Sequence, residues 1–365
     1  MIVGTRPEAI KLQPVAAALG RRGLQPTLLF TGQHPKLDPA NYGLDRFPSW
    51  RLSCPGQEDP HNHVAAVTKA VLPILCEIVP ALVLVQGDTS SALGGALAAA
   101  AAGIPLAHVE AGLRSHSRRQ PWPEEEFRMA IDREADLLFA PTDLSAANLA
   151  REGVHGQVHV TGNSGIDPLR SLASRRVERA RGDPPRLLVT CHRRENWGES
   201  LDSVAAALKI IAGEKIGRVE IVLHPNPALA ERIRALLPEG PDISFSPPLG
   251  HEEMIAAMLE SDLVLSDSGG MQEEAAALGV PLLVLRARTE RPEAIACGGV
   301  ELVGTEPNRI VSAVRRQLKS PRPNSASAPF GDGRAGERIA AIIETWLAHK
   351  GMLSPKSSAV PQTAG

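Results

Sequence analysis

The sequence predicts an α/β protein made of two doubly wound halves in series, and two observations point there. Short runs rich in Leu and β-branched residues alternate with stretches of helical periodicity over most of the chain, the pattern of parallel sheets covered on both faces. That alternation occurs twice, and 365 residues at about 150 per domain leave room for two units. A content of 43% apolar and 22% charged residues fits an ordinary globular protein with a large core.

The first strand is short, since Met1-Ile2-Val3 runs straight into Gly4-Thr5-Arg6-Pro7-Glu8. Further strand candidates in the first half are Pro26–Thr31, Ala81–Gln86, Pro105–Val109 and Asp136–Ala140. Between them, Gln13–Arg22, Ser90–Ala102, Glu124–Ala135 and Leu144–Glu152 have helical periodicity. The second half offers Arg186–Thr190, Arg218–Leu223, Leu263–Ser266 and Pro281–Leu285 as strands. Its helices are expected at Ser200–Ala212, Pro227–Leu237, Glu252–Glu260, Gly270–Leu278 and Pro307–Leu318. Asn163–Arg181 contains no strong strand and is the expected hinge, while Lys319–Ala328, rich in Pro and Ser, reads as a connector. A last helix is expected over Arg334–Lys350, followed by a small, polar, disordered tail at 351–365.

Several function classes drop out. Lys and Arg number 39 against 41 Asp and Glu, a net charge of −2, so a basic surface for nucleic acid is not expected. Four Trp, one Tyr and six Phe are too few for a base-stacking groove. Cys54, Cys76, Cys191 and Cys297 are widely spaced and form neither a C-x-x-C pair nor a disulfide framework, which suits reduced thiols in the cytoplasm. No signal peptide is expected at Met1–Arg6. The apolar stretch Ala92–Ala107 is interrupted by Gly94, Gly95, Gly103 and Pro105 and is too short to span a bilayer.

Open parallel sheets bind ligands at the carboxyl ends of their strands. Gly87-Asp88-Thr89 and His108-Val109-Glu110-Ala111-Gly112-Leu113-Arg114 follow strands there, and Pro121-Trp122-Pro123-Glu124-Glu125 opens a helix. In the second half Cys191-His192-Arg193-Arg194-Glu195-Asn196 takes the corresponding place. A single acid at such a point is most simply a cap or a solvated turn. Three carboxylates and a histidine at successive strand ends favour chemistry instead.

Leu263–Ser266 is an apolar strand followed by Asp267-Ser268-Gly269-Gly270 and a helix. Such a turn offers backbone N–H groups and the positive end of a helix dipole to an anion such as a phosphate. Glu273 and Glu274 follow one turn inside, as ribose-hydroxyl acceptors or simply as favourable first-turn acids. Gly4-Thr5-Arg6-Pro7-Glu8 has one glycine where a dinucleotide fingerprint needs three, so no nicotinamide cofactor is expected. No His, Asp and Glu set has the helical spacing of a catalytic metal site.

Taken together, Gly4–Lys11, Thr31-Gly32-Gln33-His34, Gly87–Thr89, His108–Arg114, Pro123–Glu125, His192–Asn196, Asp267–Glu274, Thr289-Glu290-Arg291-Pro292-Glu293-Ala294 and Phe330-Gly331-Asp332-Gly333 resemble the non-hydrolysing UDP-N-acetylglucosamine 2-epimerases, in the family's order. The resemblance implies a glycosyltransferase-B-like fold with two Rossmann-like domains facing a cleft. The first would comprise 1–165 plus 334–350, with the last helix crossing back, and the second 166–333. It implies a UDP-sugar substrate, no cofactor, a homodimer, and inversion at carbon 2 of UDP-GlcNAc through elimination of UDP and its re-addition to a 2-acetamidoglucal. By motif position, Asp88, Glu110, Glu124 and His192 match the family's catalytic residues. Arg6, Lys11, Ser268, Gly269, Gly270, Glu274 and Arg291 match positions that hold the nucleotide and its phosphates. The chain departs from the family pattern at Phe127, where Asn is usual, at Met254 in place of a uracil-stacking aromatic, and at Ala287.

Other readings share the fold. A glycosyltransferase fits the Ser-Gly-Gly turn and the Glu273-Glu274 pair but gives no evident task to all three carboxylates. An epimerase of a diacetamido uronic acid derivative would keep the reaction and change the sugar. A nucleotide-sugar binder without turnover would fit the departures from the family pattern, but not the intact catalytic set.

Overall fold

The computed structural model describes residues 1–117, 121–169, 182–191, 198–320 and 328–352. The expected hinge beyond Leu169, most of the Pro- and Ser-rich connector, nearly all of the tail, and His192 fall outside these residues.

The first half contains β1 (Ile2–Val3), α1 (Arg6–Arg21), β2 (Leu28–Phe30), β3 (Ser49–Arg51), α2 (Pro60–Ile78), β4 (Val83–Gln86) and α3 (Ser90–Ala101). It continues with β5 (Leu106–Val109), α4 (Glu124–Glu134), β6 (Leu137–Ala140), α5 (Asp143–Glu152) and β7 (Gln157–Val160). The second half contains β8 (Arg186–Thr190), α6 (Glu199–Gly213), β9 (Arg218–Val222), α7 (Pro227–Leu236), β10 (Ile243–Ser246), α8 (His251–Glu260), β11 (Leu263–Ser266) and α9 (Gly269–Leu278). Then come β12 (Leu282–Val284), α10 (Pro292–Ala296), β13 (Val300–Leu302), α11 (Pro307–Lys319) and, returning to the first half, α12 (Ala335–His349).

Differences from the sequence reading have local causes. Helix α1 begins at Arg6 rather than Gln13, because Thr5 and Glu8 form a capping box and Pro7 sits in the first turn, where a missing N–H is harmless. Helix α2 was not anticipated. Asp59 caps it, Pro60 starts it, and Pro73 interrupts a buried stripe of Val64, Val67, Val71, Ile74 and Leu75. The unanticipated strands β3, β7, β10 and β13 are short, and β3 is exposed throughout, so they carry no run of apolar residues.

Among the described residues all the paired strands are parallel. In the first half the ladders run β1-β2-β3 and β4-β5-β6-β7, with β1 lying alongside β4. In the second the order is β10-β9-β8-β11-β12-β13. Chain direction across the sheet therefore reverses beside β1 and β4, and again between β8 and β11. These are the points where doubly wound sheets open a crevice. The central strands are buried on both faces. Val83, Val85 and Leu138 join one apolar cluster with α2, α3 and α4, whereas Leu84, Leu137 and Phe139 join another with α1 and α12. Leu187 and Val189 likewise separate from Leu188. Burial on both faces is what a parallel sheet requires.

The architecture is the expected pair of Rossmann-like units, and the last helix does return to the first. Ile339, Ile343, Trp346 and Leu347 of α12 pack with Leu12, Val15 and Leu19 of α1. Each such side chain contributes about 1.5–3 kcal/mol by burial. Asp167 caps the incoming helix, accepting from the N–H groups of Ala335 at 2.9 Å and Gly336 at 2.7 Å. Among the described residues no helix is long and apolar enough to cross a membrane.

Gly336 lets α12 approach the backbone of α1, since a Cβ there would lie 2.7 Å from the Pro14 carbonyl carbon. Gly336→Ala should therefore destabilise the protein by about 1–3 kcal/mol, read as a lowered urea midpoint. An unchanged midpoint would mean that the two helices can separate at no cost.

Candidate active site

The two crevices face one another across a cluster of buried charge. Gly87 adopts φ +70° and turns the chain after β4, which places Asp88 at the strand end. Thr89 next accepts from the Ala92 N–H at 3.0 Å as the cap of α3 and donates at 2.6 Å to Glu8 Oε1. The other Glu8 oxygen accepts from the Gly4 N–H at 2.7 Å and the Thr5 N–H at 2.5 Å. Burial pushes the Glu8 carboxyl up, against these hydrogen bonds. Glu8 thus ties the start of α1 to the β4 turn.

Glu110 follows β5 with φ +71°, an uncommon conformation for a residue with a side chain. The turn aims its carboxylate inward. Oε2 accepts from Lys11 Nζ at 2.5 Å and from Gln86 Nε2, and Oε1 accepts from Arg291 Nη2 at 3.0 Å. Arg291 comes from the second half, so this bond crosses between the two units. Its Nε donates to Glu273 Oε1 at 2.6 Å and its Nη1 to Glu290 Oε1. Glu290 also accepts from Arg286 Nη1 at 3.0 Å, and Lys11 lies 3.6 Å from Glu273. Glu110 and Arg291 are only 7% and 6% exposed. Burial pushes the Lys11 ammonium down, but Glu110 and Glu273 outweigh that and hold its pKa above the ordinary lysine value. Burial likewise raises the Glu273 carboxyl, against Arg291 and Lys11.

Helix α4 supports these loops from below. Glu125, Arg128 and Asp132, at spacings of three and four, share one face and are all buried. Glu125 accepts from the N–H groups of Ser115 and His116 at 3.0 Å and from Arg128 Nη1 at 2.9 Å. Arg128 Nη2 donates to Asp88 Oδ2. Asp132 accepts from Arg114 Nη2 at 2.7 Å and from the Gly112 N–H at 3.2 Å, and lies 2.6 Å from His108 Nδ1. The other His108 nitrogen lies 2.8 Å from the Gly87 carbonyl oxygen. Burial raises the Asp132 carboxyl, but His108 and Arg114 outweigh it and hold the group below the usual carboxylate range.

On the facing side, Ser268 precedes α9, and its N–H donates to Ser266 Oγ at 3.0 Å. A Cβ on Gly269 would lie 2.6 Å from Arg291 Nη1, so only glycine lets the guanidinium rest against the start of this helix. A cation at the positive end of a helix is unfavourable unless anions surround it, and Glu110, Glu273 and Glu290 do so. Gly270 faces open space. Glu274 accepts from His251 Nε2 at 2.8 Å. Burial pushes the His251 imidazole down, but the Glu274 carboxylate beside it outweighs that and raises its pKa.

Of the residues singled out in the sequence, Lys11 and Arg291 both donate to Glu110, and Gly269 lies against Arg291. Asp88 joins the same region through Arg128, whose charge also faces Glu290. Glu124 stands in the first turn of α4, half-buried. Arg6 is exposed at the start of α1 and, after burial itself, is the second influence lowering the His34 imidazole. His192 lies outside the described residues. The sequence reading gave no role to Gln86, Arg128 or Asp132, and quoted Glu125 and Glu290 only as members of motifs. For Glu125, Arg128 and Asp132 the visible signal was the run of charges at helical spacing on α4 among buried Phe127 and Ile131. Among the described residues no group of His, Cys, Asp and Glu is arranged to hold a metal ion.

The sequence model of the family described as UDP-N-acetylglucosamine 2-epimerase matches residues 17–344. The UDP-N-acetylglucosamine 2-epimerase of Escherichia coli K12 is 38% identical over 362 residues, covering 93% of this chain and 96% of that protein. The crystal structure of UDP-GlcNAc 2-epimerase from Neisseria meningitidis bound to UDP-GlcNAc superposes with a TM-score of 0.84 at 31% identity, covering 95% of this chain and 98% of the other. That of the Methanocaldococcus jannaschii UDP-GlcNAc 2-epimerase in complex with UDP-GlcNAc and UDP gives 0.83 at 32% identity, covering 94% and 98%.

Removing Asp132 leaves the His108 ring and the Gly112 N–H without their buried acceptor, so Asp132→Ala should cost about 3 kcal/mol. Because the folded pKa is depressed, that contribution is present above the unfolded value of about 3.9 and is lost as pH falls through the folded one. Urea midpoints of variant and wild type should keep a constant gap from about pH 7 to 5 and converge below about pH 4. A gap that widens in acid would contradict the assignment.

Proposed function

The chain belongs to the UDP-N-acetylglucosamine 2-epimerase family, and we propose that it interconverts UDP-GlcNAc and UDP-ManNAc by removing UDP and adding it back. The supporting observation is the shared carboxylate of Glu110, held by Lys11 from one half and Arg291 from the other beside the start of α9. A diphosphate at Ser268-Gly269-Gly270 meets backbone N–H groups, a helix dipole and both cations. It competes with Glu110 for the same donors. Its binding therefore loosens Glu110 next to the sugar.

In the first step the proton on carbon 2 passes to a carboxylate while the bond from carbon 1 to the phosphate oxygen breaks. The electron pair of that bond leaves with UDP, and a double bond forms between carbons 1 and 2. In the return step UDP adds to carbon 1 and a proton reaches carbon 2 from the opposite face. Asp88, Glu110 and Glu124 serve as the acids and bases, joined by His192 on the strength of its motif position. Arg6, Lys11 and Arg291 stabilise the charge that grows on the departing diphosphate. Glu274, held by His251, receives the ribose hydroxyls. On this reading the unit 166–333 holds the nucleotide, and 1–165 with 334–350 presents the carboxylates to the sugar. A cytoplasmic homodimer serving cell-envelope polysaccharide completes the reading, on the strength of family membership.

The assay is incubation with UDP-GlcNAc in heavy water without added NAD. UDP-ManNAc should appear with deuterium at carbon 2; neither product nor exchange at high enzyme concentration would reject the proposal. Asp88→Asn, Glu110→Gln and Glu124→Gln should each slow the exchange by about 100-fold or more, with UDP affinity far less affected. Wild-type exchange in all three would remove them from the chemistry.

A further inference from the structure

Asp88 is held by a relay that begins in the main chain. Glu125, 2% exposed, is fixed by the backbone N–H groups of Ser115 and His116. It in turn fixes Arg128, 3% exposed, through Nη1 at 2.9 Å. The second arm of the same guanidinium, Nη2, reaches Asp88 Oδ2. The Asp88 side chain is 27% exposed, so a buried cation is directed outward at a carboxylate on the rim of the crevice. A rigid guanidinium bridging two carboxylates sets direction as well as distance, which a lysine on a flexible stem does not. The main chain of the same turn is held from the same helix, because His108, anchored on Asp132, reaches the Gly87 carbonyl. Burial pushes the Arg128 pKa down, but Asp88, Glu290 and Glu125 more than offset that, so the charge is permanent.

We infer that Arg128 is a positioning residue for the epimerisation, holding the carboxylate of Asp88 in one orientation toward the sugar. The inference rests on the reading of Asp88 as a residue that meets the substrate. Arg128 itself stays beneath the crevice and acts through Asp88. A misplacement of about 1 Å at a reacting group costs about 100-fold in rate, which sets the size of the expected effect.

The test is a double-mutant cycle on deuterium exchange at carbon 2, using the full chain with UDP-GlcNAc and parallel measurement of UDP affinity. Arg128→Gln should lower kcat for exchange by about 100-fold while UDP affinity stays within about threefold. Arg128→Lys should regain about tenfold of that loss, because it restores the charge without the fork. In an Asp88→Asn background, Arg128→Gln should cost less than about threefold more, since its effect passes through the carboxylate already removed. If Asp88→Asn is slow and Arg128→Gln multiplies the loss in full, the positioning role is wrong while the epimerase reading stands. If Asp88→Asn exchanges at the wild-type rate, the role of Asp88 falls and this inference falls with it. Should Arg128→Gln not fold, Arg128→Lys carries the cycle: its deficit must vanish in the Asp88→Asn background, and a deficit that persists there overturns the role.

Discussion

The arrangement of this molecule depends on one buried contact, the Arg291 guanidinium against the Glu110 carboxylate where the two units meet. Taking both charges out of water is expensive, and such pairs are weak contributors to stability in their own right. Here neither group is satisfied by the other alone. Glu110 needs Lys11 and Gln86 as further donors, and Arg291 needs Glu273 and Glu290 as further acceptors. Because Lys11 and Gln86 belong to one unit and Arg291, Glu273 and Glu290 to the other, the network fixes how the two crevices face each other.

The same contact explains why Gly269 has no side chain. The guanidinium lies against the first residue of α9, a place where the helix dipole repels it. Three carboxylates compensate, and the result is a dense set of donors pointing at one spot.

Helix α4 has a different task. Its apolar side, with Phe127 and Ile131, packs into the core, while Glu125, Arg128 and Asp132 stay buried on another face. Each of the three reaches a different loop: 115–116, the Asp88 turn, and the turn after Glu110. Polar groups that are buried and fully engaged rigidify their surroundings at a stability cost. That cost falls under the strand ends that carry Asp88 and Glu110. The departure at Phe127 leaves this face untouched, because Phe127 points into the core and is 1% exposed.

Much was legible in the residues alone. Central strands are read from their apolar runs, since burial on both faces demands them, and most helices from their periodicity, though not the start of α1. The order of motifs was enough to identify the family. Edge strands such as β3 and the proline-interrupted α2 were not legible, because exposure and Pro73 weaken the periodic signal. Nor could linear order reveal that Glu273 rather than Glu274 joins Arg291 and Lys11, or that Glu125 serves the backbone of 115–116. Residue type and spacing determined the fold class and the glycine-rich turn before α9, because these follow from local hydrogen bonding and burial. Which charges meet was decided only by the tertiary structure, because an ion pair between positions 110 and 291 depends on how two sheets face each other, and no local preference encodes that.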